Sequence, residues 1–224
     1  MQNEKEKMST GDKVNDFIQK NRTGIFVTMG ILVIGFIGVI AYFAVSDHVN
    51  KKAIAAIEEL NQRFLDLYEQ IEVGETSDEI EGLIAELKEF GHNNGGFSGS
   101  KAFSLAAQAY MFREEWALAE EAWLESARIG AKTYLGPIAL YQAAAVSEEQ
   151  EKYEEAIDLY RQCISHKFDF PAAPRAQLAI GRLYEKIEDF PAAAEAYREV
   201  LIKWPDIDVL QNLARSRIIA IEVR

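Results

Sequence analysis

The chain has 224 residues, a formal net charge of −12, a 49% hydrophobic fraction, and only 5 prolines and 14 glycines. That is enough chain for one domain of moderate size with a real core, and a composition rich in helix formers points to an all-α fold. Residues 46–224 carry 19 Lys/Arg against 32 Asp/Glu, a balance that repels phosphate backbones and excludes nucleic acid as an expected partner.

Residues 1–23 hold Lys5, Lys7, Lys13, Lys20 and Arg22 beside four acids and read as a tail. Residues 24–45, GIFVTMGILVIGFIGVIAYFAV, carry no charge. As a helix this stretch reaches about 33 Å, the thickness of a bilayer's hydrocarbon core, and a helix satisfies its own backbone groups in lipid. The competing reading is a cleaved signal peptide, because Ala44 and Ser46 form a small-x-small pair before Asp47. An ordinary signal h-region runs about 7–15 residues, so the length favours a retained anchor. Lys and Arg weigh slightly toward the N-terminal flank, which puts the N-terminus in the cytoplasm. The expected localisation is a single-pass inner (cytoplasmic) membrane protein with its C-terminal domain periplasmic or otherwise extracytoplasmic.

Residues 47–72 place Val49, Ala53, Ala56, Leu60, Phe64, Leu67 and Ile71 at three- and four-residue steps, the pattern of an amphipathic helix. Gly74 and Ser77 interrupt it, and a second helix follows with Ile80, Leu83, Ile84, Leu87 and Phe90 on one face and Ser77 or Asp78 as N-cap. The stretch GHNNGGFSGS, 91–100, reads as a loop on its four glycines, two asparagines and two serines. Residues 46–99 thus read as a stalk helix and an N-terminal helical cap with a linker loop.

Beyond residue 100 three columns share one period. Trp116, Tyr153 and Phe190 lie 37 apart, as do Ala119, Ala156 and Ala193, and as do Trp123, Tyr160 and Tyr197. Aromatic, alanine and aromatic at steps of three and four occupy one helix face. The alanine permits close approach and the rings fill the space between hairpins. One hairpin cannot bury its own apolar face, so neighbours stack into a solenoid. The repeats expected are 100–133, 137–170 and 174–207, closed by a capping helix that carries Leu210, Leu213, Ile218 and Ile221.

Leu178, Gly181, Tyr184, Phe190, Ala193, Tyr197 and Pro205 make this part of the chain resemble the tetratricopeptide repeat family. The second repeat departs from the family at Ser147, where a tyrosine is usual, and a period of 37 implies three extra residues in each inter-repeat turn. The layout of one span, a helical stalk and acidic repeats is similar to the ancillary subunits of the bacterial Sec translocon. The resemblance implies an all-α, TPR-like solenoid behind a transmembrane helix, with partners held on the concave face by the first helix of each hairpin. Carried over by position, the groove residues are Lys101, Ser104, Gln108, Met111 and Phe112, then Tyr141 (with Ile138, Ala145 and Glu148), then Arg175, Leu178, Arg182 and Glu185. Ser104 and Gln108 stand where carboxylate-clamping repeats use Lys and Asn, and only Arg175 fits, which argues against that clamp.

Chemistry leaves no motif. His48, His92 and His166 lie in separate segments, and no HExxH, CxxC, phosphate loop or nucleophile elbow occurs. Cys163, the one cysteine, is three residues from His166 but falls where the repeat wants a small buried residue. The acids around Glu148–Glu155 lack calcium-loop spacing. The expectation is a non-enzymatic module without cofactor, metal or small-molecule substrate, binding protein partners or client polypeptides. It would act as an adaptor or chaperone-like factor at the envelope export machinery, or alternatively as a structural scaffold of an envelope machine.

Overall fold

The computed structural model describes residues 10–71 and 78–223. The described chain divides between Lys52 and Ala53 into two compact units. The first holds α1 (Thr10–Lys20), a helix in what reads as a plain tail, and the opening turns of α2 (Arg22–Ile71). Within 24–45 the described side chains are exposed, among them Phe26, Ile34 and Phe43. This is a helix long and apolar enough, by length and composition, to cross a membrane. Thr28, a hydroxyl in an apolar run, donates to the Gly24 carbonyl at 2.9 Å, so it needs no partner outside its own helix.

The second unit begins inside α2. Ile57, Leu60 and Phe64 are buried in one core with Ile80, Leu83, Ile84 and Leu87 of α3 (Asp78–Asn93). Arg63 pairs with Glu86 at 2.7 Å at the rim. Asp78, Glu79 and Glu81 fill the first turn of α3, where the helix dipole favours anions. The expected N-cap Ser77 and the break at Gly74 lie outside the described residues.

The stretch 91–100 is not a loop. Only Asn94 and Gly95 lie between the helices, and α4 (Gly96–Phe112) starts at once, from a left-handed Gly96 with φ of 63°. Gly96 serves that tight turn, while Gly91 and Gly99 serve close approach. A Cβ on Gly99 would sit 1.9 Å from the Asn94 carbonyl oxygen, and one on Gly91 would sit 2.5 Å from the Phe103 ring. Ser98, Gly99 and Ser100 are buried.

Three hairpins follow: α4 with α5 (Trp116–Ile129), α6 (Leu135–Glu149) with α7 (Tyr153–Ile164), and α8 (Ala173–Lys186) with α9 (Phe190–Lys203). The lone helix α10 (Asp208–Glu222) closes the unit. Ala119, Ala156 and Ala193 are each 0% exposed, and Trp123, Tyr160 and Tyr197 are buried, so both columns are core. The column Trp116, Tyr153 and Phe190 is half-buried. The turns within the hairpins share one backbone device. Glu114, Glu151 and Glu188, again 37 apart, have φ of 55°, 60° and 61°. In each turn the left-handed residue bonds back three residues and the next residue bonds back five, as Glu151 N to Glu148 O and Lys152 N to Ser147 O. That pairing satisfies the last carbonyls of the first helix, usually with glycine at the left-handed position. The turns between hairpins are unequal: residues 130–134, 165–172 and 204–207. The period stays at 37 because α7 is two residues shorter than α5 and α8 one shorter than α6, which offsets the three residues that the second connection gains. That connection tucks Phe170 into the core, its ring 5.6 Å from Tyr141.

Two glycines in helices separate packing from propensity. Gly82 is exposed and a Cβ there meets nothing within 4 Å, whereas a Cβ on Gly181 would lie 2.6 Å from the buried Tyr197 ring. Gly82→Ala is expected to raise stability by about 1 kcal/mol in urea unfolding. Gly181→Ala is expected to lower it by about 1–3 kcal/mol, because Tyr197 is pinned through its hydroxyl to Glu185 at 2.7 Å and cannot give way.

Candidate protein-binding groove

The first helices of the hairpins are α4, α6 and α8, and α10 continues their row. An ion-pair ladder ties the last three together. Glu148 of α6 takes both ends of the Arg182 guanidinium of α8, one bond at 2.8 Å. Glu185 of α8 takes Arg217 of α10, with Nε at 2.9 Å, and also accepts from Tyr197. Bidentate guanidinium–carboxylate pairs fix orientation as well as charge. The Arg182 and Arg217 guanidinium groups are thereby held in their charged form, above their ordinary range, by these carboxylates.

Beside the ladder lies a pocket of about 480 Å³. Tyr141, Tyr160 and Tyr197, the guanidinium groups of Arg175, Arg182 and Arg217, and Leu178, Ala179, Leu210 and Leu213 line it. Tyr160 is 2% exposed. Burial first, then the neighbouring Tyr141 and Glu148, pushes its phenol well above the ordinary value, so it stays a neutral hydrogen-bond donor. Arg175 is exposed and, among the described residues, has no ion pair.

Of the residues expected in the groove, the structure gathers Tyr141, Arg175, Leu178 and Arg182 in this pocket, and Glu185 stands behind Arg217. Ser104 does not face a groove. It is 6% exposed, donates to the Ser100 carbonyl at 3.0 Å and meets the Ser126 hydroxyl at 2.9 Å, in a buried serine cluster between α4 and α5. Gln108 turns back to the Ser104 carbonyl at 3.1 Å, and the Met111 sulfur accepts from the Trp123 indole at 3.3 Å. Phe112, 44% exposed, packs edge-on against Tyr68 of α2 at 4.3 Å. Lys101 is half-buried and outside the pocket. Leu210, Leu213 and Arg217 were missed because α10 leaves the 37-residue register. They follow Arg175, Leu178 and Arg182 by 35 residues, and that shorter interval is the signal that would have found them.

The departure at Ser147 has a partner elsewhere. Glu120 of α5 is 5% exposed and accepts from Ser147 Oγ at 2.7 Å, Gln150 Nε2 at 2.6 Å and Lys152 Nζ at 2.7 Å. Burial alone would raise its carboxyl, but the bonds from Lys152, Ser147 and Gln150 hold it below the usual 4.5. Serine replaces the tyrosine because a carboxylate occupies the space beside it.

Cys163 is fully buried and donates to the Tyr160 carbonyl at 3.0 Å, while His166 Nδ1 accepts from Phe168 N at 3.3 Å, so the two side chains do not pair. Burial pushes the thiol up to about 12. A maleimide should leave Cys163 unlabelled in the native protein and label it fully in denaturant; mass spectrometry reads the difference. Among the described residues no group of three His, Cys, Asp or Glu is placed to hold a metal ion.

Solved structures share this architecture. Two crystal structures of nearly identical TPR-like repeats, from a Podosopora anserina chain described as a kinesin light chain, superpose with TM-scores of 0.55 and 0.50 at 13% and 12% identity. Each covers 74% of this chain, and 85% and 96% of the respective structure. At that identity the likeness is one of fold. A TPR repeat-containing protein of Treponema pallidum (strain Nichols) is 31% identical over 128 residues, 57% of this chain. The chain spans about half the length of that relative, 53%. The family described as tetratricopeptide repeat-like domain matches residues 15–203, a span that takes in the apolar stretch as well as all three hairpins. With that match running over most of its length, the chain belongs to the tetratricopeptide repeat-like family.

Proposed function

We propose that this chain is a membrane-anchored protein-interaction module. It binds polypeptide segments on its concave face and serves as an adaptor or chaperone-like factor at the protein export machinery of the cell envelope. The observation that carries the reading is the union in one chain of an uncharged helical stretch at 24–45, whose described side chains are exposed, with a repeat solenoid that keeps an open pocket. Lipid is the solvent in which exposed Phe26, Ile34 and Phe43 cost nothing. The family match reaches back across that stretch, which supports an anchor common to the family over a feature added to this chain. The slight Lys/Arg excess before residue 24 supports an extracytoplasmic solenoid. A fixed scaffold in an envelope machine is the second reading. It draws on the exposed apolar side chains of the last helix, Val209 and Ile219.

Photo-crosslinking in native membranes tests both readings. Probes replace Tyr141 and Leu213 in the pocket, with a control at the exposed Asp158 of α7. Translocon subunits together with many different exported chains, captured from the pocket probes and not from the control, are the expected result. One or two fixed partners at constant ratio would replace the adaptor with the scaffold. Equal capture at Asp158 would overturn the groove itself. Sodium carbonate extraction tests the anchor: release of the protein into the supernatant would overturn it.

A further inference from the structure

The segment before the apolar stretch is a helix with two unlike faces. α1 runs from Thr10 to Lys20, and at about 100° per residue its register sets Thr10, Val14, Phe17 and Ile18 within one arc. Lys13 and Lys20 register along the Phe17 border of that arc, while Asp12, Asp16 and Gln19 register on the far side. Phe17 is 63% exposed and Ile18 48%. The helix has 11 residues. Helices shorter than about 12–15 residues are marginal alone in water, and in proteins they persist by packing an amphipathic face on something.

What covers this face follows from what α1 is joined to. Asn21 is the one residue between α1 and α2. Its backbone N–H and its side-chain amide both donate to the Phe17 carbonyl, at 3.0 and 2.9 Å, so the end of α1 is capped from within its own chain. The uncharged stretch opens at Gly24, seven residues after Phe17. Even in a straight helix Phe17 then stands no more than about 11 Å from the hydrocarbon. A headgroup layer is about 5–8 Å deep, so a bend at Asn21 brings the whole of α1 into it. Because a single residue tethers α1 to the anchor, the interface is present at high effective concentration, and a small apolar face is enough to hold it there. The charges agree. Amines along the border of an apolar arc extend to the level of the lipid phosphates, and carboxylates opposite it keep to water.

Resting on the anchored reading above, we propose that α1 is an interfacial helix. It lies along the leaflet on the N-terminal side of the anchor, with Phe17 and Ile18 at the boundary of headgroups and acyl chains, Lys20 against lipid phosphates and its acidic side toward water. Asn21 is the bend. Two helices, one across the bilayer and one along its surface, fix the depth and the rotation of the anchor, which a single span leaves free.

The test uses the full-length chain in nanodiscs of phosphatidylethanolamine and phosphatidylglycerol, in a Cys163→Ala background. A nitroxide is attached in turn at Asn15→Cys, Phe17→Cys, Ile18→Cys and Gln19→Cys. Power-saturation EPR compares collisions with oxygen, which concentrates in lipid, and with a nickel chelate, which stays in water. Positions 17 and 18 are expected to show an oxygen-to-nickel ratio about threefold or more above that of 15 and 19, as for a face sunk about 5–10 Å into the interface. Phe17→Asp should make the label at position 18 accessible to nickel, while the chain stays in the membrane pellet on carbonate extraction. Equal nickel access at all four positions would put α1 in water and overturn the proposal with the anchor intact. Low access to both reagents at 17 and 18 would mean that protein covers the face, and would overturn the lipid assignment. Failure of the chain to enter nanodiscs would overturn the anchor and the interfacial helix with it.

Discussion

Glu120→Ala should lower the unfolding free energy by about 3 kcal/mol, because it removes the acceptor at the centre of a buried network. The Ser147 hydroxyl keeps the Ala143 carbonyl at 3.0 Å and the Gln150 amide keeps the Val146 carbonyl at 3.4 Å, but Lys152 loses its carboxylate on the α6–α7 turn. For a domain of this size the thermal midpoint falls by about 5–10 °C. The effect depends on pH in a defined direction. The folded carboxyl sits below the ordinary 4.5, so the unfolded chain takes up its proton first as pH falls. The wild-type advantage over Glu120→Gln is full above the unfolded value and disappears as pH drops through the lower, folded value. Urea titrations of the two proteins between pH 3 and 7 read this directly; a gap that widens toward acid would refute the sign.

The second large effect is at the other end of the solenoid. Glu185→Ala removes at one stroke the acceptor of Arg217 and that of the buried Tyr197 hydroxyl. The Glu185 side chain is 9% exposed and Arg217 43%, so the lost carboxylate is the desolvated member, and its loss should cost about 2–4 kcal/mol. The cost should be local. The other deep anchors of α10 are Ala214 and Gln211, whose amide donates to the carbonyls of Leu201 in α9 and of Trp204 just past its end, at 3.1 and 3.0 Å. Limited proteolysis should therefore cut first between α9 and α10 in Glu185→Ala. Glu199→Ala is the control: its partner Lys203 and the carboxylate are both well exposed, at 49% and 39%, and the change should stay within about 0.5 kcal/mol.

The repeat was legible because it rests on residues whose size is the message. An alanine that must be 0% exposed and a ring that must fill a groove cannot be exchanged for anything else. The hairpins follow from the columns at 116, 119 and 123 and their images. Glycine carries less information. At 91–100 the same residues that mark a loop also allow α3 and α4 to touch, and only the three-dimensional neighbours of Gly91 and Gly99 decide between the two uses. The groove was half legible. Tyr141, Arg175, Leu178 and Arg182 follow from position in the repeat, and the pocket holds them. Ser104 occupies an equivalent position and yet is sealed by Ser126 from α5, a contact twenty-two residues away that no periodicity announces. Glu120 was invisible for the same reason. Its equivalents, Ile157 and Ala194, are apolar, so a carboxylate there has meaning only once Ser147 is seen opposite. The left-handed glutamates at 114, 151 and 188 had their spacing in plain view, but glutamate is not the residue that ordinarily marks such a turn.

Within the hairpins each helix packs mainly on the helices just before and after it in the chain, α4 on α5, α5 on α6, and so on to α9 on α10. A contact map made of near neighbours has a low relative contact order, so each turn of the solenoid can form without waiting for a distant segment to arrive. It also makes stability a local property: interior helices lean on two neighbours, and among the described residues α10 packs on α9 and, more lightly, on α8. Amide hydrogens of α10 should therefore exchange by opening of that helix alone, while those of α5 to α7 wait for the whole unit to unfold. The wall of the pocket formed by Leu210, Leu213 and Arg217 is thus also its most easily opened side.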